Sequence, residues 1–247
     1  MTEASSRGAA VVVGVGAQKG TGAALARRFA REGLHTFVAG RTSEKLEAVA
    51  EEIRAMGFSA TPVIADVTRT EDVNRLLDRA IKEAGCLEAV LYNAGNNRFS
   101  SLLDMDDAFF EDLWRVCCFG GFLVGREAAR RMVPNGRGSI LFTGATASLR
   151  ARPPFTAFAS AKAALRAVAF GMAREFGPQG LHVGHVVIDG AIDGDMLNER
   201  LPQIKERLGE DGMLAVDAIA DAFWGLHAQR RSAWTLELDV RPFKENF

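Results

Sequence analysis

The sequence is poor in tyrosine and cysteine. It has 247 residues, of which a single one is tyrosine, Tyr92, whereas 16 are phenylalanine. Any reaction that needs a phenol as acid or base would therefore depend on Tyr92. The 3 cysteines, Cys86, Cys117 and Cys118, are odd in number and lack metal-ligand spacing. The sequence therefore predicts neither a disulfide framework nor a metal site, and it favours a reducing compartment.

An excess of one charge sign and a long hydrophobic run are also missing. Lys and Arg number 30 and Asp and Glu 31, which gives a formal net charge of −1. Broad binding to nucleic acid or to a membrane surface needs concentrated positive charge, so neither partner is expected. No run reaches the ~18 apolar residues of a membrane span, and residues 1–10 lack the apolar core of a signal peptide. We therefore expect a cytoplasmic location.

Short apolar runs alternate with longer segments of helical periodicity, which is typical of βαβ units. The predicted strands are residues 9–15, 35–39, 60–65, 87–93, 139–143 and 182–188, with a last one near 235–238. The predicted helices are residues 22–32, 71–84, 107–132, 156–176 and 216–227, with a further one that Ser43 caps and that stops at Gly57. We predict an α/β fold, a single-domain doubly wound parallel sheet of Rossmann type over residues 9–247, after a flexible N-terminus at residues 1–8.

A glycine-rich turn follows the first predicted strand and leads directly into a helix. It contains Gly16, Gln18, Lys19, Gly20, Thr21 and Gly22. Glycines in this position allow a tight turn and the close approach of a pyrophosphate, whose charge is stabilised by the helix N-terminus. The turn therefore predicts a dinucleotide site, and the alternative is a glycine-rich turn without a ligand.

The end of the second strand indicates which dinucleotide is bound. An acidic residue there would bind the adenine ribose and favour NAD, but the sequence has Arg41 and no Asp or Glu. Arg41 and Lys19 can hold a 2′-phosphate, which favours NADP(H) over NAD(H). The alternative is that both are solvated surface charges.

Four motifs together resemble the short-chain dehydrogenase/reductase family. They are the glycine spacing of Gly16, Gly20 and Gly22, the pair Asp66-Val67, the segment Tyr92-Asn93-Ala94-Gly95, and the segment Asp189-Gly190-Ala191-Ile192. The resemblance extends from about Gly8 to the final strand. It implies that Asp66 and Val67 border the adenine, that Asn93, Ala94 and Gly95 lie along the cofactor, and that Gly190 and Ile192 contact its nicotinamide side. In the family the last segment begins with proline, where this sequence has Asp189.

The family's catalytic residues are mostly replaced. The resemblance implies a Tyr-x-x-x-Lys pair, which here reads Phe158 to Lys162, and a serine thirteen residues earlier, where Ala145 stands. The asparagine of the family's preceding helix corresponds to Cys117. Lys162, which binds the nicotinamide ribose in the family, is retained. Because phenylalanine does not ionise and alanine donates no hydrogen bond, ordinary ketone reduction should be slow.

Other groups can replace the missing acid only in part. Tyr92 is expected away from the helix of Phe158, and Thr146 and Ser148 supply hydroxyls of high pKa. Lys162 can itself donate a proton if burial lowers its pKa, or simply hold the ribose. A bound cofactor would still reduce a pre-activated substrate, such as an iminium ion or a strongly polarised C=C bond that takes its proton from water.

The sequence further predicts an apolar pocket, a lid and an oligomer. Phe119, Phe142 and Phe155 are expected in the pocket wall, unless they pack in the core, and residues 193–211 form either a substrate lid or a surface loop. By resemblance, helices 107–132 and 156–176 form the interface of a homodimer or homotetramer. Two functions remain open: an NADP(H)-dependent oxidoreductase acting on an apolar small molecule, or an NADP(H)-binding protein without turnover that acts as sensor or scaffold.

Overall fold

The strands form one parallel sheet and a small separate pair. The computed structural model describes residues 8–95 and 97–245. In chain order the strands are β1 (Ala9–Val13), β2 (His35–Gly40), β3 (Ala60–Ile64), β4 (Leu87–Tyr92), β5 (Ser139–Thr143), β6 (His182–Ile188), β7 (Ile192–Asp193), β8 (Leu214–Ala215) and β9 (Glu237–Val240). The large sheet has the order β3-β2-β1-β4-β5-β6-β9, and β7 pairs with β8. The strand order reverses at β1 and β4, and ligands bind at such reversals in open α/β sheets.

Helices cover both faces of the large sheet. In chain order they are α1 (Thr21–Arg31), α2 (Ser43–Ala55), α3 (Thr70–Ala84), α4 (Asp107–Trp114), α5 (Gly120–Met132), α6 (Thr156–Phe176), α7 (Asp195–Arg200), α8 (Ile204–Leu208) and α9 (Val216–His227). This architecture confirms the predicted doubly wound α/β fold.

The first strand shows why the sheet is buried on both faces. Side chains alternate along a strand, so Val11 and Val13 pack into one core with residues of α3, α5 and α6. Ala10 and Val12 point the other way and pack with residues of α1, α2 and α9. All residues of β1 are buried, as its uninterrupted apolar run predicts.

The predicted element ends differ from the structure where the backbone turns. The first strand stops at Val13 rather than at residue 15, because Gly14 has a φ of +85° and turns the chain away from the sheet. The last strand lies at residues 237–240 rather than near 235–238. Ser43 is the first residue of α2 rather than its cap. Most of the segment predicted to be flexible, residues 1–7, lies outside the described residues, but Gly8 is buried and its carbonyl accepts a hydrogen bond from the His35 N–H.

The helix predicted at residues 107–132 is interrupted by a π-helical turn. The turn covers Arg115–Phe119 and separates α4 from α5. The buried Tyr92 hydroxyl donates a hydrogen bond to the Val116 carbonyl oxygen within it. A side chain that hydrogen-bonds to a main-chain carbonyl within a helix is a recognised cause of local departures from α-helical geometry. Here that side chain belongs to β4, which is distant in sequence.

Candidate active site

The turn between β1 and α1 is shaped by close backbone contacts. A Cβ atom on Gly14 would lie 2.4 Å from the Ala94 nitrogen, and one on Gly22 would lie 2.6 Å from the Gly14 oxygen. Glycine is therefore required at both positions. The residue before α1 is Gly20, which has no side chain to cap the helix. The first N–H groups of α1 are consequently left open to an anion.

A chain of hydrogen bonds connects β1, β4, β5 and α6 at the carboxyl edge of the sheet. Asn93 Nδ2 donates to the Gly14 oxygen over 3.1 Å, and Thr143 Oγ1 donates to Asn93 Oδ1 over 3.1 Å. Lys162 Nζ donates to the Thr143 carbonyl oxygen over 2.7 Å. The amide of Asn93 and the ammonium of Lys162 are therefore held by main-chain atoms of neighbouring strands.

The Lys162 ammonium lies in an apolar environment. The side chain is buried, and Nζ lies 5.8 Å from the centre of the Phe158 ring, one helical turn earlier. Within residues 8–95 and 97–245, no carboxylate forms an ion pair with it. Burial lowers the pKa of Lys162 below its usual value, because the charged form loses solvation.

A cavity of about 620 Å³ opens at this edge of the sheet. Many of the residues predicted to form the site line it together: Gly16, Lys19, Gly20, Thr21, Gly22, Asn93, Gly95, Ala145, Phe158, Lys162, Gly190 and Ile192. Its volume falls in the range typical of small-molecule and cofactor sites. The glycine turn, the Asn93 segment and Lys162 thus share one cavity although they are distant in sequence.

Other predicted residues lie outside the cavity wall. Arg41 is exposed after β2, and the Gln18 carbonyl accepts a hydrogen bond from Arg27. Asp66 Oδ1 accepts hydrogen bonds from the N–H and hydroxyl of Thr68. The remaining ones are buried: Val67, Ala94 and Cys117.

Cys117 is close to the cavity without lining it. It packs with Leu113, Ala157 and Ala161 between the π-helical turn and α6. A Cβ atom on Gly95 would lie 3.4 Å from its Sγ and 3.3 Å from Lys162 Nζ. Cys117 is therefore a small buried side chain behind Gly95.

The hydroxyl groups near Ala145 are already engaged. Thr146 lines the cavity, but its hydroxyl donates to Asp189 Oδ1. Ser148 Oγ accepts a hydrogen bond from the Ala145 N–H over 3.1 Å. Tyr92 is fully buried outside the cavity wall, and burial raises the pKa of its phenol well above the usual value. None of these side chains presents a free acid to the cavity.

The cavity wall differs from the one that the sequence predicts. Phe155 lines it, whereas Phe142 is in the core beside Tyr92, and Phe119 stacks on Trp114. Phe119 and Phe142 both follow the alternative of core packing, and for Phe142 the reason is that strand side chains alternate between the two faces of the sheet. Apolar side chains of α7 complete the wall, namely Met196 and Leu197.

The segment 193–211, predicted as lid or loop, contains α7 and α8 and packs on the glycine turn. The N–H of Asp195 donates to the Lys19 oxygen, and the N–H of Lys19 donates to Asp195 Oδ2, each over 3.1 Å. The pKa of Asp193 is lowered mainly by its hydrogen bond from Lys205, then by its bond from Asn198, and to a smaller extent by the charge of Lys19. Lys19 therefore lies between the glycine turn and this segment, and the structure shows no contact between it and Arg41.

The sequence reasoning missed two arginines. Arg150 and Arg152 line the cavity, and Arg150 is held by the buried Asp189. The available signal was Asp189 itself, which stands where the resemblance implies proline.

No group of three or more His, Cys, Asp or Glu side chains capable of holding a metal occurs in the part of the chain that the structure describes. In the same residues, no helix combines the length and hydropathy of a membrane span.

Comparisons with known proteins agree on one family. The sequence profile described as short chain dehydrogenase matches residues 10–205. Over 168 residues the chain is 31% identical to gluconate 5-dehydrogenase of Gluconobacter oxydans, covering 68% of this chain and 66% of that protein. The crystal structure of a short-chain dehydrogenase from Rhodopseudomonas palustris is 39% identical, with a TM-score of 0.82 over 96% of this chain and 100% of that one.

The same fold occurs in a protein crystallised with NADP. A metagenomic short-chain oxidoreductase in complex with NADP superimposes with a TM-score of 0.81, over 98% of this chain and 99% of that one, at 24% identity. At this identity the likeness supports the fold alone. The matched profile covers most of the chain, and the protein therefore belongs to the short-chain dehydrogenase family of oxidoreductases with a Rossmann nucleotide-binding fold.

Proposed function

We propose that this protein is an NADP(H)-dependent oxidoreductase that transfers hydride to a small molecule already activated for reduction. The observation that carries the proposal is the cavity wall around Lys162, where Phe158 and Ala145 stand at the positions of the family's tyrosine and serine. A phenol and a serine hydroxyl are absent from the described residues of that wall. The substrate must therefore accept hydride without an acid of the usual kind.

The residues of the cavity fit a nicotinamide dinucleotide. The open N–H groups at the start of α1 would bind the pyrophosphate, and Asn93 and Gly95 would border the ribose. Lys162 would hold the nicotinamide ribose hydroxyls with the N–H groups that Thr143 does not use. Gly190 and Ile192 would contact the carboxamide side. When bound, the cofactor supplies the hydride.

The preference for NADP(H) over NAD(H) is part of this proposal. Arg41 is exposed and has no side-chain partner in the described chain, so its guanidinium is available to a 2′-phosphate. Lys19 lines the cavity at the glycine turn and makes no contact with Arg41, so we assign it a smaller contribution.

Among activated substrates, an electron-poor C=C bond suits the cavity better than a free iminium ion. The ionisable side chains of the described wall that are not assigned to the cofactor are Arg150 and Arg152, both cationic. A positively charged substrate would be repelled. In the reaction we propose, hydride adds to the β-carbon of the alkene, the electron pair moves onto the activating group, and water protonates the α-carbon.

A homo-oligomer is a further part of the proposal. Phe110 and Trp114 lie on α4 and are 39% and 36% exposed, which leaves an aromatic surface next to α6. We propose that a second copy covers this surface. Light scattering should give at least twice the mass of 26.6 kDa. A Trp114→Glu variant should be smaller, and an unchanged mass would contradict the interface.

The proposal is tested by NADPH consumption with a panel of ketones, imines and electron-poor alkenes. Activated substrates should be reduced, and Lys162→Met should abolish reduction while cofactor binding remains measurable. Tight NADPH binding without turnover of any compound would instead support the alternative, a nucleotide-binding protein without dehydrogenase activity.

A further inference from the structure

Asp189 is a buried carboxylate beside the cavity. It follows β6 and is only 2% exposed. Its oxygens accept hydrogen bonds from the Thr146 hydroxyl and from Arg150 Nη2, the latter over 2.9 and 3.2 Å, and Arg241 Nη2 lies 3.3 Å away. Burying a charge is unfavourable unless partners compensate it. The Arg150 guanidinium therefore stabilises the buried Asp189 carboxylate, and the carboxylate in turn holds Arg150 in position.

Arg150 retains hydrogen-bonding capacity toward the cavity. Both of its bonds to Asp189 use Nη2, so Nε and Nη1 have no partner among the residues described. Its side chain is 38% exposed and belongs to the cavity wall. A guanidinium held on one side and open on the other is suited to bind a planar carboxylate.

The charge of the surrounding wall points to the same ligand. Arg152 also lines the cavity and has no side-chain partner in the described chain, and no Asp or Glu lies among the described lining residues. The neighbouring wall is apolar and includes Phe155, Phe158 and Leu197. Coulomb attraction is stronger beside such low-dielectric walls. The cavity wall therefore combines two arginines with apolar side chains.

We propose that the substrate is a carboxylic acid with an apolar, preferably aromatic, body, whose carboxylate binds Arg150 and, secondarily, Arg152. This inference rests on the proposed function, since it takes the cavity as the substrate site. It adds the chemical class of the substrate to the expectation of an apolar ligand.

The test is calorimetric binding of matched acids and amides to the full chain saturated with NADP⁺. The probes are benzoate, 2-naphthoate and their carboxamides, which differ in charge but hardly in shape. At least one acid should bind about tenfold or more tightly than its amide, as expected for charge-assisted hydrogen bonds.

The variants assign the preference to Arg150. Arg150→Met alone would leave Asp189 under-compensated, so the key variant is Arg150→Met/Asp189→Asn, which removes both charges and leaves an amide whose oxygen can accept from Arg241 and whose NH2 can donate to the Thr146 hydroxyl. It should lose the acid preference while NADP⁺ affinity is unchanged. Arg152→Met should lose part of the preference. The control Arg75→Met, on the exposed face of α3, should keep all of it.

The inference is overturned if every amide binds as well as its acid, if no acid binds, or if the double variant keeps the preference. Because these measurements require no turnover, they separate this inference from the proposed reaction. If acids bind preferentially but no compound is reduced, the carboxylate site is supported and the proposed activity is contradicted. If neutral alkenes are reduced but acids bind no better than amides, the proposed activity is supported and the carboxylate site is contradicted.

Discussion

Lys162 Nζ donates a 2.7 Å hydrogen bond to the carbonyl oxygen of Thr143, which ties α6 to the end of β5. The Thr143 hydroxyl in turn donates to Asn93, so the same residue positions both groups. A buried ammonium held by a main-chain carbonyl rather than by a carboxylate keeps N–H groups available for another ligand. The end of β5 therefore positions both Lys162 and Asn93 at the cavity.

We predict that Lys162→Met weakens NADPH binding about tenfold without lowering the unfolding temperature. The binding loss follows from the lost hydrogen bonds to the ribose. Stability is kept because an apolar chain of similar length replaces a buried cation whose pKa is already lowered by burial. Fluorescence titration and thermal unfolding measure the two effects. Lys82→Met, on α3, is the control, and equal NADPH affinity in the two variants would refute the assignment.

Cofactor preference should depend on Arg41 more than on Lys19. Arg41→Ala is expected to weaken NADPH binding about tenfold and to leave NADH binding unchanged, because one charge-assisted contact to the 2′-phosphate is lost. Lys19→Ala should affect NADPH less, since Lys19 lines the cavity at the glycine turn and makes no contact with Arg41. Titrations of both cofactors decide the point. Tighter binding of NADH than of NADPH to the unmodified protein would contradict the proposed preference for NADP(H).

Gly14→Ala should destabilise the protein much more than Gly57→Ala. Both glycines have nearly equal positive φ, +85° and +86°, so both variants carry a backbone strain of about 1–2 kcal/mol. At Gly14 the new Cβ would also lie 2.4 Å from the Ala94 nitrogen, whereas at Gly57 no atom of the described residues lies within 4 Å. We expect a further loss of roughly 1–3 kcal/mol for Gly14→Ala in denaturant unfolding. Equal losses of unfolding free energy in the two variants would show that the main chain at Ala94 moves away from the new Cβ without cost, which would contradict the prediction.

Stability should fall in acid because of His185. Burial lowers the pKa of His185 from 6.5 to about 4 despite its hydrogen bond to Glu237. Below pH 6.5 His185 binds a proton in the unfolded chain but stays neutral in the folded chain until the pH approaches 4. The contribution of neutral His185 to the free energy of unfolding is therefore complete above pH 6.5 and declines as the pH falls toward 4. His185→Gln should reduce the loss of unfolding free energy between pH 7 and pH 5 by about 2 kcal/mol. Parallel pH profiles for the two proteins would contradict this.

The elements and the glycine turn were predictable because their signals are local. The run of valines in β1 and the position of the glycines before α1 depend on residues close in sequence. Lys162 was predictable through a short motif on one helix. The π-helical turn was not, since it involves a hydrogen bond from Tyr92 on β4 to Val116, and nothing in residues 115–119 indicates that partner.

The placement of Arg150 in the cavity wall could not be predicted from local sequence signals. It requires Asp189, after β6, to lie against Arg150, which precedes α6, and against Arg241, after β9. These residues are brought together only by the strand order. The prediction of an apolar wall was therefore incomplete: its aromatic part was right at Phe155 and Phe158, and its cationic part was missed.

The central claim is that the missing phenol separates this site from an ordinary ketone reductase. The most direct test compares NADPH-dependent reduction of trans-β-nitrostyrene and acetophenone by the unmodified protein and by Phe158→Tyr/Ala145→Ser. We predict that the unmodified protein reduces the nitroalkene much faster than acetophenone, and that the double variant reduces acetophenone about 10²-fold or more faster than the unmodified protein does. Reduction of acetophenone by the unmodified protein at a rate similar to that of the nitroalkene, or no reduction of either, would contradict the account.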